Sequence, residues 1–160
     1  MHQVMGIEIE RKFLVRDDAW RAGVTGVRHL RQGYLAIDGG NTARVRTDGT
    51  RAWITVKGRT QGISRAEFEY EVPLADAEGL LILCGERLVE KRRHLVPHEG
   101  HTWEVDEFFG ANAGLIMAEI ELATAQERVD LPAWLGSEVS FDPRYTNARL
   151  ATQPFGRWES

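Results

Sequence analysis

The segment Ile7-Glu8-Ile9-Glu10-Arg11-Lys12-Phe13-Leu14-Val15 places ionisable side chains at a spacing that could do chemistry. In an extended chain alternate side chains point to opposite faces, and residues two apart lie roughly 7 Å from one another. Glu8, Glu10 and Lys12 then share one face, while Ile7, Ile9, Phe13 and Val15 form an apolar opposite face. Two carboxylates aligned so closely repel each other unless a cation sits beside them, and the lysine next in line offers a place for an anion. A metal ion together with a polyanion satisfies all three groups.

The same sorting recurs along the chain. Arg44 and Arg46 share a face, with Val45 opposite, and Thr55 lies with Lys57, opposite Ile54 and Val56. Arg65, Glu67, Glu69 and Glu71 oppose Ala66, Phe68, Tyr70 and Val72, and Lys91 aligns with Arg93. Glu104 and Asp106 form an acidic pair, and Glu119 and Glu121 another, backed by Ala118, Ile120 and Leu122. A charged strand face is ordinarily the wet side of a sheet. Soluble surfaces, however, intersperse both signs, and like-sign neighbours are unfavourable in isolation. Here paired acids fall at the start and near the end, with paired bases between them. A closed sheet brings its first and last strands together, setting Glu8 and Glu10 beside Glu119 and Glu121. Converging carboxylates suit a hard divalent cation such as Mg²⁺ or Mn²⁺. The facing lysines and arginines suit phosphate oxygens, two of which one guanidinium can engage at once.

These faces need strands to carry them, and the patterning predicts mostly β structure. Strands are expected over 4–15, 27–37, 42–48, 51–57, 65–73, 86–97, 101–109 and 115–122. Asp48-Gly49 between two alternating segments is a hairpin signal in which both turn residues accept positive φ. Asp38-Gly39-Gly40-Asn41 and His98-Glu99-Gly100 mark two further turns. Tight turns between short strands imply antiparallel pairing, and about eight strands can form a sandwich or a closed barrel. Short helices are expected over 17–22, capped by Asp17, over 75–84, ending before Gly85, and over 143–151, where Asp142 precedes Pro143. Leu80, Leu81, Leu83 and Trp20 can cover part of the apolar exterior. Gly58-Arg59-Thr60-Gln61-Gly62 is expected to be the mobile loop.

At 160 residues, 42% hydrophobic and 28% charged, the chain is expected to fold as one domain over 1–160, with a barrel over about 4–122 and a tail over 152–160. Twenty basic residues against 24 acidic ones leave a net charge of −4, which argues against a general nucleic-acid or anionic-membrane surface. Cys84 is the single cysteine, so neither a disulfide framework nor a thiol metal site is expected, and its apolar neighbours Leu81, Ile82 and Leu83 imply an inert, buried thiol. With no signal segment and no apolar run of membrane-spanning length, a cytoplasmic location is expected. His2, His98 and His101 are expected to be solvated, and His29 and His94 show no spaced acid motif that would make a zinc site. Neither a Ser-His-Asp pattern nor a P-loop is present.

In this arrangement Glu8-Ile9-Glu10-Arg11-Lys12 resembles the E-x-E-x-K signature of the CYTH domains, also called triphosphate tunnel metalloenzymes. Arg31-Gln32-Gly33-Tyr34-Leu35, Arg44-Val45-Arg46, Ser64–Glu71, Val89–Arg93, Trp103–Phe108, Ala118–Glu121 and Asp142–Asn147 resemble segments of short bacterial members, in order along nearly the whole chain. E-x-E-x-K by itself is a weak pattern; followed by the basic segments and the late E-x-E it becomes specific. The resemblance implies a closed eight-stranded antiparallel barrel (mainly β, α+β) whose charged tunnel holds a triphosphate, with Mg²⁺ or Mn²⁺ as cofactor. It implies Glu8, Glu10, Glu119 and Glu121 as metal ligands, with Asp106 a further candidate. Lys12, Arg44, Arg46, Lys57, Lys91 and Arg93 resemble the phosphate-binding set, to which Arg65 is added. Glu8, Glu10, Glu69 and Lys91 are the candidates for catalysis, one carboxylate orienting or deprotonating the attacking water.

Asp142–Arg149 resembles the late helix that closes one tunnel end, although members often carry a basic residue where this chain has Thr146 or Ala148. Trp53, Tyr34 and Phe108 could stack on a ring, but scattered aromatics more often pack. Inorganic tripolyphosphate, which needs no organic pocket, is therefore the favoured substrate, ahead of nucleoside or thiamine triphosphates. ATP cyclisation ranks lower, because the residues before Glu8 lack a His-Phe element. The competing readings are a non-catalytic polyphosphate-binding module and a plain barrel with charged outer faces. Apolar exterior left uncovered is available for a homodimer contact.

Overall fold

The structure, a computed structural model, describes residues 6–158. Its strands are β1 (Ile7–Val15), β2 (Gly26–Asp38), β3 (Asn41–Thr47), β4 (Ala52–Lys57), β5 (Ser64–Val72), β6 (Leu88–His98), β7 (His101–Phe108), β8 (Ile116–Glu121) and β9 (Leu135–Glu138). Two α-helices join them, α1 (Leu74–Leu83) and α2 (Asn147–Thr152). The sheet runs β5-β4-β3-β2-β6-β7-β8-β1 and closes by pairing β5 with β1, so eight antiparallel strands form a barrel, as expected. The expected start of β1 at residue 4, and His2, lie outside the described residues.

Closure depends on the length of β1. Its first part, Ile7 to Ile9, pairs with Ala66 to Ser64 of β5, whereas Glu10 to Leu14 pair with Glu121 to Met117 of β8. The edge it shares with β5 continues onto the unexpected β9, through Phe13↔Glu138 and Val15↔Leu135. That strand is short and contains Gly136 and Ser137, so it carries little strand signal. Gly136 lies where an added Cβ would meet the Leu14 carbonyl oxygen at 3.3 Å, so close approach to β1 is what places it.

Turn chemistry follows the sequence with one exchange. Thr47 pairs with Ala52, so Asp48–Arg51 is a four-residue loop in which Gly49 has φ 92°; its two central residues are not both left-handed. Asp48 instead accepts the Thr50 and Arg51 amides at 2.9 and 2.8 Å, closing the turn with its side chain. Paired left-handed residues occur at Gly39-Gly40 (φ 59° and 95°) and at Glu99-Gly100 (φ 47° and 81°), each a two-residue hairpin.

The expected helix at 17–22 is a 3₁₀ turn over Ala19–Gly23, where Asp17 accepts the Ala19 amide at 2.9 Å. The helix expected over 143–151 is two pieces: a 3₁₀ turn, Pro143–Tyr145, and then α2. Thr146 separates them because it is the N-cap of α2; its extended backbone (ψ 145°) lets its hydroxyl accept the Arg149 amide at 3.2 Å. Nor is the segment after residue 152 a free tail, since Trp158 packs edge-on against Tyr145 and Phe155. The loop expected to be mobile is tied down: Arg59 donates twice to the Gly39 carbonyl, and Arg65 to those of Gly58 and Gly40.

The usual inside-outside rule is inverted in this fold. Phe13, Trp20, Val96, Trp103, Val105, Ala118, Ile120 and Trp134 form the largest apolar cluster, and alternation puts the strand residues among them on the outer face of the barrel. On another side Ala77, Leu81 and Cys84 of the α1 segment cover Val45 and Ala52. The Cys84 thiol is buried, and burial raises it above its ordinary range, as its apolar setting suggested. Leu83, expected to pack, is instead 70% exposed, because Ala77, Leu81 and Cys84 already occupy the barrel-facing stripe of the helix. A third cluster, including Tyr34, Val89, Phe108, Met117 and Leu150, fills one end of the barrel beneath α2. Among the described residues no helix is long and apolar enough to cross a membrane.

Candidate active site

The inner faces of the strands surround a cavity of about 1010 Å³ lined by eleven basic and seven acidic side chains, in a chain whose net charge is −4. Glu8, Glu10, Lys12, Arg44, Arg46, Lys57, Arg65, Glu69, Lys91, Arg93, Glu119 and Glu121 all line it. The register explains the meeting of distant segments: Glu10 lies opposite Glu121, Lys12 opposite Glu119, and Glu119 opposite Glu104. Directly opposite residues in antiparallel strands have their Cβ atoms about 4.5–5.5 Å apart, so these carboxylates crowd one part of the wall.

Cations are threaded between the acids. Lys12 Nζ lies 3.6 Å from Glu10 and 3.7 Å from Glu119, and Lys57 Nζ lies 3.0 Å from Glu8 and 3.2 Å from Glu67. Burial tends to raise the Glu8 carboxyl, but Lys57, Arg44 and Lys12 outweigh it and draw it down to about 2. Glu10 is pushed up to about 8 by burial and by the charges of Glu8 and Glu119. Two carboxyls on one strand face are thus driven to opposite extremes.

The basic wall is underpaired. Arg44 is buried, and its Nε–H and that of Arg46 have no acceptor among the described residues. Arg46 reaches Glu69 only at 3.7 Å, and burial, with Arg44 and Arg93 nearby, lowers its guanidinium to about 9. Glu69 accepts from the Thr55 hydroxyl at 2.9 Å. A buried donor without an acceptor costs about 1–3 kcal/mol, which an anion in the lumen would recover.

Asp106 does not line the cavity. It is fully buried, held bidentately by Arg93 at 2.8 and 2.9 Å and by Lys91 at 2.8 Å. Burial tends to raise its carboxyl, yet Arg93 and Lys91 hold it far below the ordinary carboxylate range. Its oxygens accept from Arg93 and Lys91, so Asp106 sits behind two lumen cations rather than on the cavity wall. Arg93 also reaches Glu119 at 3.1 Å and Glu104 at 3.3 Å. Arg65 lines the cavity but gives Nε and one terminal nitrogen to the Gly58 and Gly40 carbonyls, which leaves it fewer donors for a ligand.

Arg28, Arg87, Arg149, Glu67, Glu104 and Asn147 line the cavity without having been singled out as site residues. Glu67 and Glu104 lay on faces already read as charged, so extending those faces would have found them. Arg28 shares the inner face of β2 with Leu30, Gln32 and Tyr34, which breaks the like-sign pattern. Arg149 brings a basic group to the α2 end, beside the anticipated positions Thr146 and Ala148, which also line the cavity. Trp53 faces the lumen, with the guanidiniums of Arg28 and Arg51 at 5.8 and 5.6 Å from its ring. Phe108 is packed in the plug under α2, whereas Tyr34 packs there and also lines the cavity. His29 and His94, which showed no acid partner in sequence, find one across the wall, at Glu90 (2.6 Å) and Glu107 (3.3 Å). His101, expected to be solvated, meets Glu127 at 2.7 Å.

A closed antiparallel barrel with an ionised lumen and its apolar packing outside defines a class of protein built to hold a small, highly charged ligand. The family is shown by comparison: the CYTH domain model matches residues 6–147, and the chain belongs to that family. An inorganic triphosphatase of Acetivibrio thermocellus is 46% identical over 152 residues, covering 94% of this chain and 97% of the relative. An inorganic triphosphatase of Nitrosomonas europaea is 36% identical over 149 residues, covering 90% and 96%. The crystal structure of the inorganic triphosphatase NE1496 superposes with a TM-score of 0.67 at 35% identity, over 90% of this chain and 97% of that one.

Proposed function

We propose that the protein hydrolyses a linear triphosphate, inorganic tripolyphosphate being the favoured substrate, with Mg²⁺ or Mn²⁺ as cofactor. The observation that carries this reading is the surplus of cations in the lumen, where the buried Nε–H groups of Arg44 and Arg46 lack acceptors among the described residues. The two relatives named as inorganic triphosphatases, each matched over nearly its whole length, support the same substrate.

The donor set fits a hard cation. Among the described residues no group of three or more His, Cys, Asp and Glu side chains is gathered closely enough to hold a metal alone. Mg²⁺ asks for less, keeping waters and taking one or two carboxylates plus substrate phosphates. Glu10, whose carboxyl is raised to about 8 by burial first and then by Glu8 and Glu119, is where a cation relieves repulsion. Glu8, Glu10, Glu119 and Glu121 are the residues that would hold it. Bound there, it would neutralise charge developing on the phosphate oxygens.

Phosphoryl transfer asks a protein chiefly for placement and electrostatic support. Lys12, Arg44, Arg46, Lys57 and Arg93 grip the phosphate oxygens, with Arg65 contributing what its backbone contacts leave free. A water oxygen attacks the terminal phosphorus, the bond from that phosphorus to the bridging oxygen breaks, and pyrophosphate leaves. The proton released by the water passes to a lumen carboxylate. Glu69 is outside the proposed metal set and is held by a hydroxyl rather than a close ion pair, which suits it to that task. Lys91, drawn down to about 8 chiefly by burial, is the cation best able to share a proton with the departing oxygen. A buried lone thiol, Cys84, is at home in a reducing compartment, and we place the protein in the cytoplasm.

The test is phosphate release from tripolyphosphate with and without Mg²⁺. Glu8→Gln and Glu10→Gln are each expected to lose about a hundredfold or more in rate, while Glu99→Gln in the β6–β7 turn keeps the parent rate. Equal rates in all three variants reject the proposal.

A further inference from the structure

We infer that Asn147 is a positioning residue: the docked α2 fixes the Lys91 ammonium in the lumen through the Asn147 side-chain carbonyl. The segment that closes one end of the barrel thereby completes its phosphate-binding wall. This rests on the triphosphate reading and adds to it a residue from outside the strands.

Lys91 projects from β6 and is only 1% exposed. Its Nζ donates to Asp106 Oδ2 at 2.8 Å and to Asn147 Oδ1 at 3.1 Å, with the Phe108 ring centre 5.5 Å away. An ammonium carries three N–H donors, so these two acceptors aim the group and leave one donor for a ligand. Without the Asn147 carbonyl, Lys91 has Asp106 as its single acceptor among the described residues, and Arg93 already holds both oxygens of that carboxylate. The ammonium would then settle toward Asp106 and away from the cavity.

The chain is clamped on both sides of Asn147. Before it, Thr146 caps α2 by accepting the Arg149 amide. After it, Leu150 and Ala151 are buried in the end plug. Asn112, itself 2% exposed, donates to the Leu150 carbonyl at 3.3 Å and accepts the Phe155 amide at 2.8 Å. An asparagine serving merely as the first residue of a short helix needs neither this clamp nor a partner buried in the lumen. Asn147 and Lys91 line the same cavity.

A double-mutant cycle on tripolyphosphate binding, read by isothermal titration calorimetry, tests the link. Asn147→Leu, similar in size but without the acceptor, is expected to weaken binding by about tenfold, the scale of one hydrogen bond to a charged group. In a Lys91→Met background Asn147→Leu should change affinity by less than about twofold. Should Asn147→Leu unfold the barrel, Asn147→Ser, too short to reach Lys91, enters the same cycle. A loss of equal size with and without Lys91 makes Asn147 merely structural and overturns the inference, as does parental affinity in Asn147→Leu. Parent protein that takes up no tripolyphosphate overturns the functional reading, and the positioning role falls with it; that result is distinct because it appears before any substitution.

Discussion

Glu8 and Glu10 show how little residue type decides by itself. They are the same side chain, two residues apart on one strand face, yet Glu8 is drawn to about 2 and Glu10 pushed to about 8. Lys57, in contact with both Glu8 oxygens, accounts for the first; burial and two neighbouring carboxylates account for the second. Raised above its ordinary 4.5, Glu10 keeps a proton in the metal-free native state that the unfolded chain releases. Its contribution to stability is therefore present at low pH and declines as pH rises from 4.5 toward about 8. Glu8 runs the other way, stabilising above its ordinary 4.5 and losing that contribution as pH falls toward about 2. In chelator, Glu10→Gln is expected to raise the thermal midpoint at pH 9 and leave it nearly unchanged at pH 4, while Glu8→Gln lowers it at pH 7. Melting curves across that range check both, and a Glu10→Gln difference independent of pH would contradict the account. Asp106 carries the same lesson: its spacing from Glu104 announced a pair of lumen acids, but Arg93 and Lys91 consume its oxygens.

At the scale of elements, local pattern carried most of the information. All eight barrel strands and α1 follow from alternation, turn residues and the glycine after residue 84, because these depend on neighbours a few positions away. The disagreements occur where distant contacts intervene. Thr146 breaks the expected long helix to cap α2, and β9 exists because β1 offers it a free edge. The outer apolar layer is what lets the strands turn charge inward, and Trp103 sits at its centre, fully buried, with ring centres of Phe13 at 5.6 Å and Trp134 at 6.1 Å. Trp103→Ala is expected to cost about 3–5 kcal/mol of stability, measured by denaturant unfolding. A loss below about 1 kcal/mol would place the principal core elsewhere, since ordinary surface substitutions stay within about half that value.

Across the whole molecule the charge is divided by location: a chain of net charge −4 encloses a lumen with more basic than acidic side chains. Repulsion among these cations, and the unmet Nε–H donors of Arg44 and Arg46, are what a polyanion would remove on binding. Tripolyphosphate at about a hundred times its dissociation constant should stabilise the fold by about 2.7 kcal/mol, a midpoint rise of about 5–10 °C for a chain of this size. Arg46→Ala should lose most of that rise, and a parent midpoint indifferent to tripolyphosphate would show that the anion does not enter.

What the amino-acid order determined by itself was the sorting: which side chains share a strand face, the sign of each face, and where the chain turns. The family signature was legible for the same reason, since E-x-E-x-K and its companions are local strings with period-two spacing. Tertiary structure decided which way each face points and which residues of a face remain available to a ligand. Curling the charged side inward depends on pairings such as Ile7 with Ala66 and Glu10 with Glu121, between positions far apart in the chain. Alternation is identical for a sheet curled either way. The choice falls to the aromatic and aliphatic residues that find cover only outside the barrel, and to ion pairs such as Arg93 with Asp106 that form once it has closed.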